Sequence, residues 1–466
     1  MADFINTIDH LGDDAVMDSI IDRTITEFKD DVVTSIGNYA FYNCKSLESV
    51  SIPTASQIFG RAFYGCDILK YIYAPNVSTI AGVSNQDQHY EAFSNCKSLV
   101  SVVFPKVETM NRKTFYNCTG LVKADFPLLK GLNAWEFQSC SALIALILRR
   151  EDSICTLGSV DCITNTPIAS GTGYIYVPSS LVSSYVAATN WSTYASQFRG
   201  LFDNEDILQG IIDGTLVNLQ NNSIETIPVR GCYNYKPIES VNSTSVKEVG
   251  SNAFYGCSSL TTVDLPNATT INDNAFNGCS ALENVDLPNV VSVKQAAFRN
   301  NATLTSISLP SAETIGNSAF YGCAKLSNVS LPNVKKIENY AFCNCALTSV
   351  TLESATTFGP NAFEMCKSLE VADLHVATSL QGRTFTQCSR LNTVIIRTPS
   401  VCTMGDANCF YRAEQHNGEL FFYVPRDLVD SYKAANNWSN HANNIRAIED
   451  HSVDGTITGA LDETKI

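Results

Sequence analysis

The sequence repeats itself every 22 residues, and that period decides most of what the chain can become. The dipeptide AF, or a close variant of it, places Phe41, Phe63, Phe93, Phe115 and Phe137 in one run. Phe254, Phe276, Phe298, Phe320, Phe342, Phe363 and Phe385 form a second. The interval breaks twice, by an insertion of eight residues around Ala81–Tyr90 and by a single deletion after Cys345. Within one unit, Val249, Ala253, Phe254, Cys257, Leu260, Val263 and Leu265 are the fixed apolar places, followed by Pro266. The LxxVxL stretch has apolar residues two apart and predicts a short strand with one side inward. The IxxxAFxxC stretch predicts a helical turn or 3₁₀ piece, and the Pro forces a turn after the strand. One such unit cannot bury its apolar side alone; a stack can. The expected fold is a solenoid of parallel strands with a short helical or 3₁₀ turn per coil.

A longer repeat divides the chain in two. Residues 14–50 match 205–241 without a gap, with Gly231 and Cys232 standing where the first copy has Ala40 and Phe41. The far ends match as well: Cys155–Cys162 resembles Cys402–Cys409, and Leu181, Tyr185 and Trp191 have counterparts in Leu428, Tyr432 and Trp438. These last residues are spaced as on an amphipathic helix. Two capped arrays are expected, 1–204 and 205–466, with five recognisable coils in the first and eight in the second. Each would have a strand-forming opening cap and a strand–helix closing cap. Asp454–Thr458 reads as the start of a third opening cap, and the short junction predicts arrays that dock end to end.

Eleven of the seventeen Cys fall at one place in the repeat, which makes them stacked core residues and not a disulfide framework. Asn301 and Tyr235 occupy that place in two units, as no thiolate-requiring site would allow. Cys155/Cys162 and Cys402/Cys409 leave two readings open, a disulfide in each closing cap or paired burial, the second agreeing better with cytoplasmic synthesis. The six His show no metal spacing, and neither GxSxG, HExxH nor a phosphate loop occurs. The sequence therefore calls for no catalytic residue, metal or cofactor, and an enzyme is not expected. A net charge of −15 argues against nucleic acid and against anionic membrane surfaces. The first residues are acidic where an export signal needs bases, and no apolar run is long enough to span a membrane.

Strand parity points the residues flanking the central Val away from the core. In the first array these are Tyr71, Tyr73, Val103, Lys123 and Asp125. In the second they include Thr262, Asp264, Asn284, Asp286, Ser306, Ser308, Asn328, Ser330, Thr351 and Asp373. Short polar side chains suit a polar ligand such as a glycan, and the two tyrosines suit stacking on a sugar or anchoring a protein. The insertion at Ala81–Tyr90 is a second candidate for recognition.

The unit IxxxAFxxCxxLxxVxLPxx resembles the BspA-type leucine-rich repeat, and the YVP…Y…W segment is similar to the one that often ends such arrays. The resemblance covers roughly 15–150 and 206–397. It implies a binding or adhesion protein. Many relatives carry an export signal and a wall anchor that are not evident here, whereas similar repeats without them resemble proteins encoded by bacteriophages. The resemblance thus points to a virion protein recognising a host-cell glycan or protein, alongside other virion proteins. A secreted or surface adhesin, or a cytoplasmic interaction scaffold, is the alternative, and an oligomer stays open.

Overall fold

The computed structural model describes residues 18, 20–80, 90–413 and 420–448. They form two units, Met1–Leu201 and Phe202–Ile466. The inserted segment up to residue 89 and the expected third cap at Asp454–Thr458 lie outside the described residues.

Each unit is a stack of coils with every residue beside its counterpart one repeat away. Thr262–Asp264 pairs in parallel with Ser240–Asn242 on one side and Asn284–Asp286 on the other, Val263 facing Val241 and Val285. A second parallel ladder, shorter per coil, runs through the Ile position: Thr270–Ile271 lies between Glu248–Val249 and Ser292–Val293. In the second unit this minor ladder forms one nine-stranded sheet, while the LxxVxL strands fall into sheets of four, two and five. The more regular spine of the coil is thus the two-residue strand, which sequence reading had merged with the turn.

The AF segment is no regular helix. Its 3₁₀-type bonds alternate with bonds to the neighbouring coil. Ala253, Tyr255 and Cys257 donate their N–H groups back to Gly250, Asn252 and Phe254 of the same coil. Asn252, Phe254 and Gly256 donate instead to Asp273, Ala275 and Asn277 of the next coil, each at 2.8 Å. Every backbone N–H here has a partner, as a buried turn requires. The alternation needs left-handed backbone two residues before and two residues after the Phe: φ is +58° at Asn252 and +68° at Gly256. Asn and Gly tolerate that region best, which explains the recurrent Asn or Gly before the repeat Cys (Asn43, Gly65, Asn95, Asn117, Gly256, Gly278).

The core is a set of columns. The rings of Phe254, Phe276, Phe298 and Phe320 stack at 5.2–5.3 Å between centroids, nearly parallel. Phe41, Phe63, Phe93, Phe115 and Phe137 do the same at 5.1–5.4 Å. The Cys column is more than packing. Beyond the first coil of each array the thiols donate to the carbonyl at the Phe place of the preceding coil, as Cys279 does to Phe254 at 3.1 Å and Cys388 to Phe363 at 3.0 Å; Cys257 finds Cys232 in that place at 2.9 Å. Asn301 keeps the same bond with its amide, Nδ2 to the Phe276 oxygen at 3.1 Å. The replacement is therefore donor for donor. It leaves Asn301 Oδ1 buried without a hydrogen-bond partner among the described residues. All seventeen Cys are buried and none is in a disulfide. Burial pushes the Cys323 thiol up to about 12 and raises Cys279 and Cys388 likewise, which favours the protonated donor form there.

The closing caps differ from expectation. Cys155–Cys162 and Cys402–Cys409 are neither disulfide loops nor cap but one further coil each. Thr156–Leu157 and Thr403–Met404 extend the minor ladder, and Cys162 and Cys409 accept from Phe137 and Phe385 in the place of Ala. Tyr185 and Trp191 do not share a helix: Val182–Ala187 is α-helical and Trp191–Gln197 is a separate 3₁₀ segment. Both aromatics close the open ladder. Cys155 donates its N–H to the Tyr185 hydroxyl at 2.7 Å, and Trp191 Nε1 donates to the Cys155 carbonyl at 2.6 Å. Cys402, Tyr432 and Trp438 repeat this at 2.9 and 2.7 Å. Leu181 and Leu428 are only half-buried.

The opening cap of the second unit begins with a helix, not a strand. Glu205–Ile212 is capped by Asn204, whose side chain accepts from the Ile207 N–H, and buries Ile207, Leu208, Ile211 and Ile212. Tyr235, in the Cys place of the first coil, reaches back to the Gly210 carbonyl at 3.2 Å. The missing Phe is compensated by Phe202, whose ring lies so close to Gly231 that an added Cβ would stand 2.8 Å from it.

Candidate binding surface

The outward side of the LxxVxL ladder is held rigidly by the register of its strands. In the first unit Ser49, Val50 and Ser51 pair with Tyr71, Ile72 and Tyr73. Both tyrosines project, 67% and 60% exposed, with Val103 also exposed at the equivalent place one coil later and Lys123 half-buried. Two bulky rings on one strand and fully outward are a preformed stacking platform of low conformational freedom.

The second unit presents the expected polar ladder. Asn284, Asp286, Ser306, Ser308, Asn328, Ser330 and Thr351 are exposed, while Thr262 and Asp264 are half-buried. Its members also bond to one another: Ser240 donates to Asn218 Oδ1 at 2.6 Å and Asn242 to Asp264 Oδ2 at 3.2 Å. Val285 and Val329, taken from parity as core residues, are only half-buried.

Asp125 and Asp373 do not belong to the exposed strip. Both are buried, at 5% and 6% exposure, each under an arginine from the following coil. Arg149 grips Asp125 with Nε and Nη2 at 2.9–3.1 Å, a two-pronged pair. Arg397 holds Asp373 by Nη2 alone at 2.8 Å. His375, which stands where the other array has Pro127, approaches Asp373 Oδ1 at 3.6 Å, and that oxygen has no hydrogen-bond partner among the described residues. A parity rule sees only direction; it cannot see a long side chain folding over its neighbour.

A second surface escaped the sequence reading because it lies on the turns. In the first unit the residues two before and one after each Phe form an aromatic and cationic strip. Tyr42 stacks on Tyr64 at 5.1 Å, and Arg61 lies over both Tyr39 and Tyr64 at 5.8 Å. Lys113 lies over Tyr116 at 5.4 Å and over Trp135 at 5.7 Å. Tyr recurring on both flanks of AF, as in NYAFYNC, was the available signal.

Buried beside this strip is Glu136, in the place of the repeat Ala. It accepts from the Cys162 thiol at 3.1 Å and from the Asn133 N–H. Burial raises its pKa, against the opposing hydrogen bonds and the nearby Arg112 charge. Among the described residues no cluster of three or more His, Cys, Asp or Glu is placed to hold a metal, and no helix is long and apolar enough to cross a membrane.

A family model described as BspA type leucine rich repeat region matches residues 19–144, 84–170, 222–312 and 291–417. No curated protein matches the chain. Among solved structures, a leucine-rich repeat protein from Bacteroides ovatus is 23% identical, covering 75% of this chain and 79% of that one, with a TM-score of 0.37. A leucine rich cell surface protein from Faecalibacterium prausnitzii is 18% identical over 80% and 88%, at 0.30. The pneumococcal vaccine antigen PcpA is 16% identical over 91% and 83%, at 0.28. None of these carries information about what this chain binds.

Proposed function

Because the chain belongs to the BspA-type leucine-rich-repeat family, we propose that it is a non-enzymatic binding protein whose strand-side strip attaches to a glycan or protein on a host cell surface. One observation carries this reading: Tyr71 and Tyr73 stand fully outward on a strand whose register is fixed by its neighbour. Rigid aromatic anchors of this kind dominate recognition energies. The polar ladder from Asn284 to Thr351 supplies hydrogen-bonding groups along the second array.

The carrier we propose is a bacteriophage virion, with the protein serving in host recognition or capsid decoration. Support comes from the likeness of the repeats to phage-encoded ones. Neighbouring tail or capsid genes test it; an export signal encoded upstream would instead make the protein a secreted or surface adhesin. For the binding strip, whole-cell and glycan-array binding of Tyr71→Ala/Tyr73→Ala against the parent is the test. A loss of about 2 kcal/mol, roughly thirtyfold, is expected. Unchanged binding removes the tyrosine pair from the site.

A further inference from the structure

The turn-side strip of the first array is composed unlike the rest of an acidic chain. Between Tyr39 and Trp135 it carries five half-buried aromatic residues, Tyr39, Tyr42, Tyr64, Tyr116 and Trp135. Three cations, Arg61, Arg112 and Lys113, share it with one carboxylate, Glu91. Glu91 is committed to Arg61 at 2.8 Å and lies 3.8 Å from Lys113. Arg112 is exposed; among the described residues no carboxylate pairs with it, and its guanidinium lies 5.9 Å from the Trp135 ring. The same columns of the second array begin alike, with Arg230 over Tyr233 at 5.2 Å and Tyr233 stacked on Tyr255 at 5.0 Å. They then pass to Asn252, Asn274, Asn277 and Ala296, and Arg299 over Tyr321 stands further along.

We infer that this strip is a second binding site, for an acidic polysaccharide. Ring faces suit the flat C–H faces of sugars, and cations beside them suit a carboxylate or sulfate on the same ring. The spacing fits a polymer. Successive coils of the first array are 5.1–5.4 Å apart at the Phe column, and an extended glycan advances by a similar step per sugar. A repeating ladder thus meets a repeating ligand in register. Three cations in a chain of net charge −15 are too few for a polyphosphate backbone. They match a polymer whose charges are sparse.

This site lies apart from Tyr71 and Tyr73, so the two readings fail separately. The protein contains three Trp. Trp191 and Trp438 are fully buried, which leaves Trp135 as the ligand-sensitive fluorophore. The full chain is titrated with hyaluronan (a carboxylate on every second sugar), heparin and a neutral galactan, following tryptophan emission and bound fraction. We expect an acidic polymer to bind, the emission to change, and affinity to fall as salt is raised. Hyaluronan alone would assign the carboxylate as the recognised group, heparin alone the sulfate. Trp135→Asn abolishes the signal and weakens binding at least tenfold. Its φ of +65° suits Asn, which stands at equivalent left-handed positions at Asn252 and Asn274, so the variant keeps its fold. Arg112→Gln, an exposed change, together with Lys113→Asn weakens binding as much, while Tyr71→Ala/Tyr73→Ala leaves it unchanged. Absence of binding to both acidic polymers, equal binding of the galactan or of a DNA oligomer, or parental affinity in these strip variants would overturn the proposal.

Discussion

The two arrays agree at their ends and disagree on their faces. At the closing ends, the bonds from Trp191 and Trp438 to the Cys155 and Cys402 carbonyls differ by 0.1 Å, and Asn190 and Asn437 donate to Leu157 and Met404 at 2.7 Å in both. Where the ends differ, they compensate: Phe410 with His441 in one cap stands where Ile163 with Tyr194 stands in the other. Outward columns follow no such rule. On the strand side one array shows Tyr71 and Tyr73, the other Asn, Ser, Thr and Asp, and on the turn side Trp135 and Lys113 stand where the second array has Asn, Ala or Ser at several coils. An unsatisfied end costs buried backbone groups at about 1–3 kcal/mol each. An outward side chain costs almost nothing to change, and that is where ligand choice can be written.

The caps give the strongest test of this agreement. Trp191→Ala and Trp438→Ala should each destabilise their own array by about 3–5 kcal/mol, since each removes a buried ring and the partner of a ladder carbonyl. Urea denaturation with amide hydrogen exchange resolves the arrays; a loss confined to one variant breaks the equivalence. Next in size is Gly231→Ala, which drives a Cβ to 2.8 Å from the Phe202 ring and should cost about 1–3 kcal/mol. The reciprocal Ala40→Gly should cost only about 1 kcal/mol, and thermal melting that ranks the pair the other way would show that Phe202 does not fill the degenerate coil. Asn301→Cys restores the column of thiol donors and removes the orphaned oxygen, so a gain of about 1 kcal/mol is expected by chemical denaturation.

The smallest effect concerns Glu136, present in the first array where the second has Ala or Thr. Burial makes the folded chain bind this proton more tightly than the unfolded one. Stability is therefore full below the unfolded carboxylate range and declines as pH rises through the raised folded value. Glu136→Gln should flatten that decline in melting curves taken from acid to neutral pH. A parental slope in the variant would remove Glu136 as its source.

Much of the fold was legible because a stacked core repeats its demands: Phe254, Cys257, Leu260 and Leu265 recur because each meets its own copy. The alternating bonds of the AF segment were not legible, since they depend on left-handed residues such as Asn252 that a periodicity argument reads as polar filler. Nor was the thiol's role as donor, which only the Asn301 exchange hinted at. The candidate site was legible in direction and not in cover. Tyr71 and Tyr73 project as parity requires, whereas Asp125 and Asp373 vanish under arginines that parity places one coil later.

The minor ladder has a wider consequence. Ile80 still pairs with Met110 across the inserted segment, and Ile337 with Phe358 across the deletion. A thread only two residues wide per turn thus absorbs changes of length in what hangs from it. Lineages can then lengthen or shorten the connecting segments, and even add whole coils, without renegotiating the stack, so that reach and specificity vary while the frame is inherited intact.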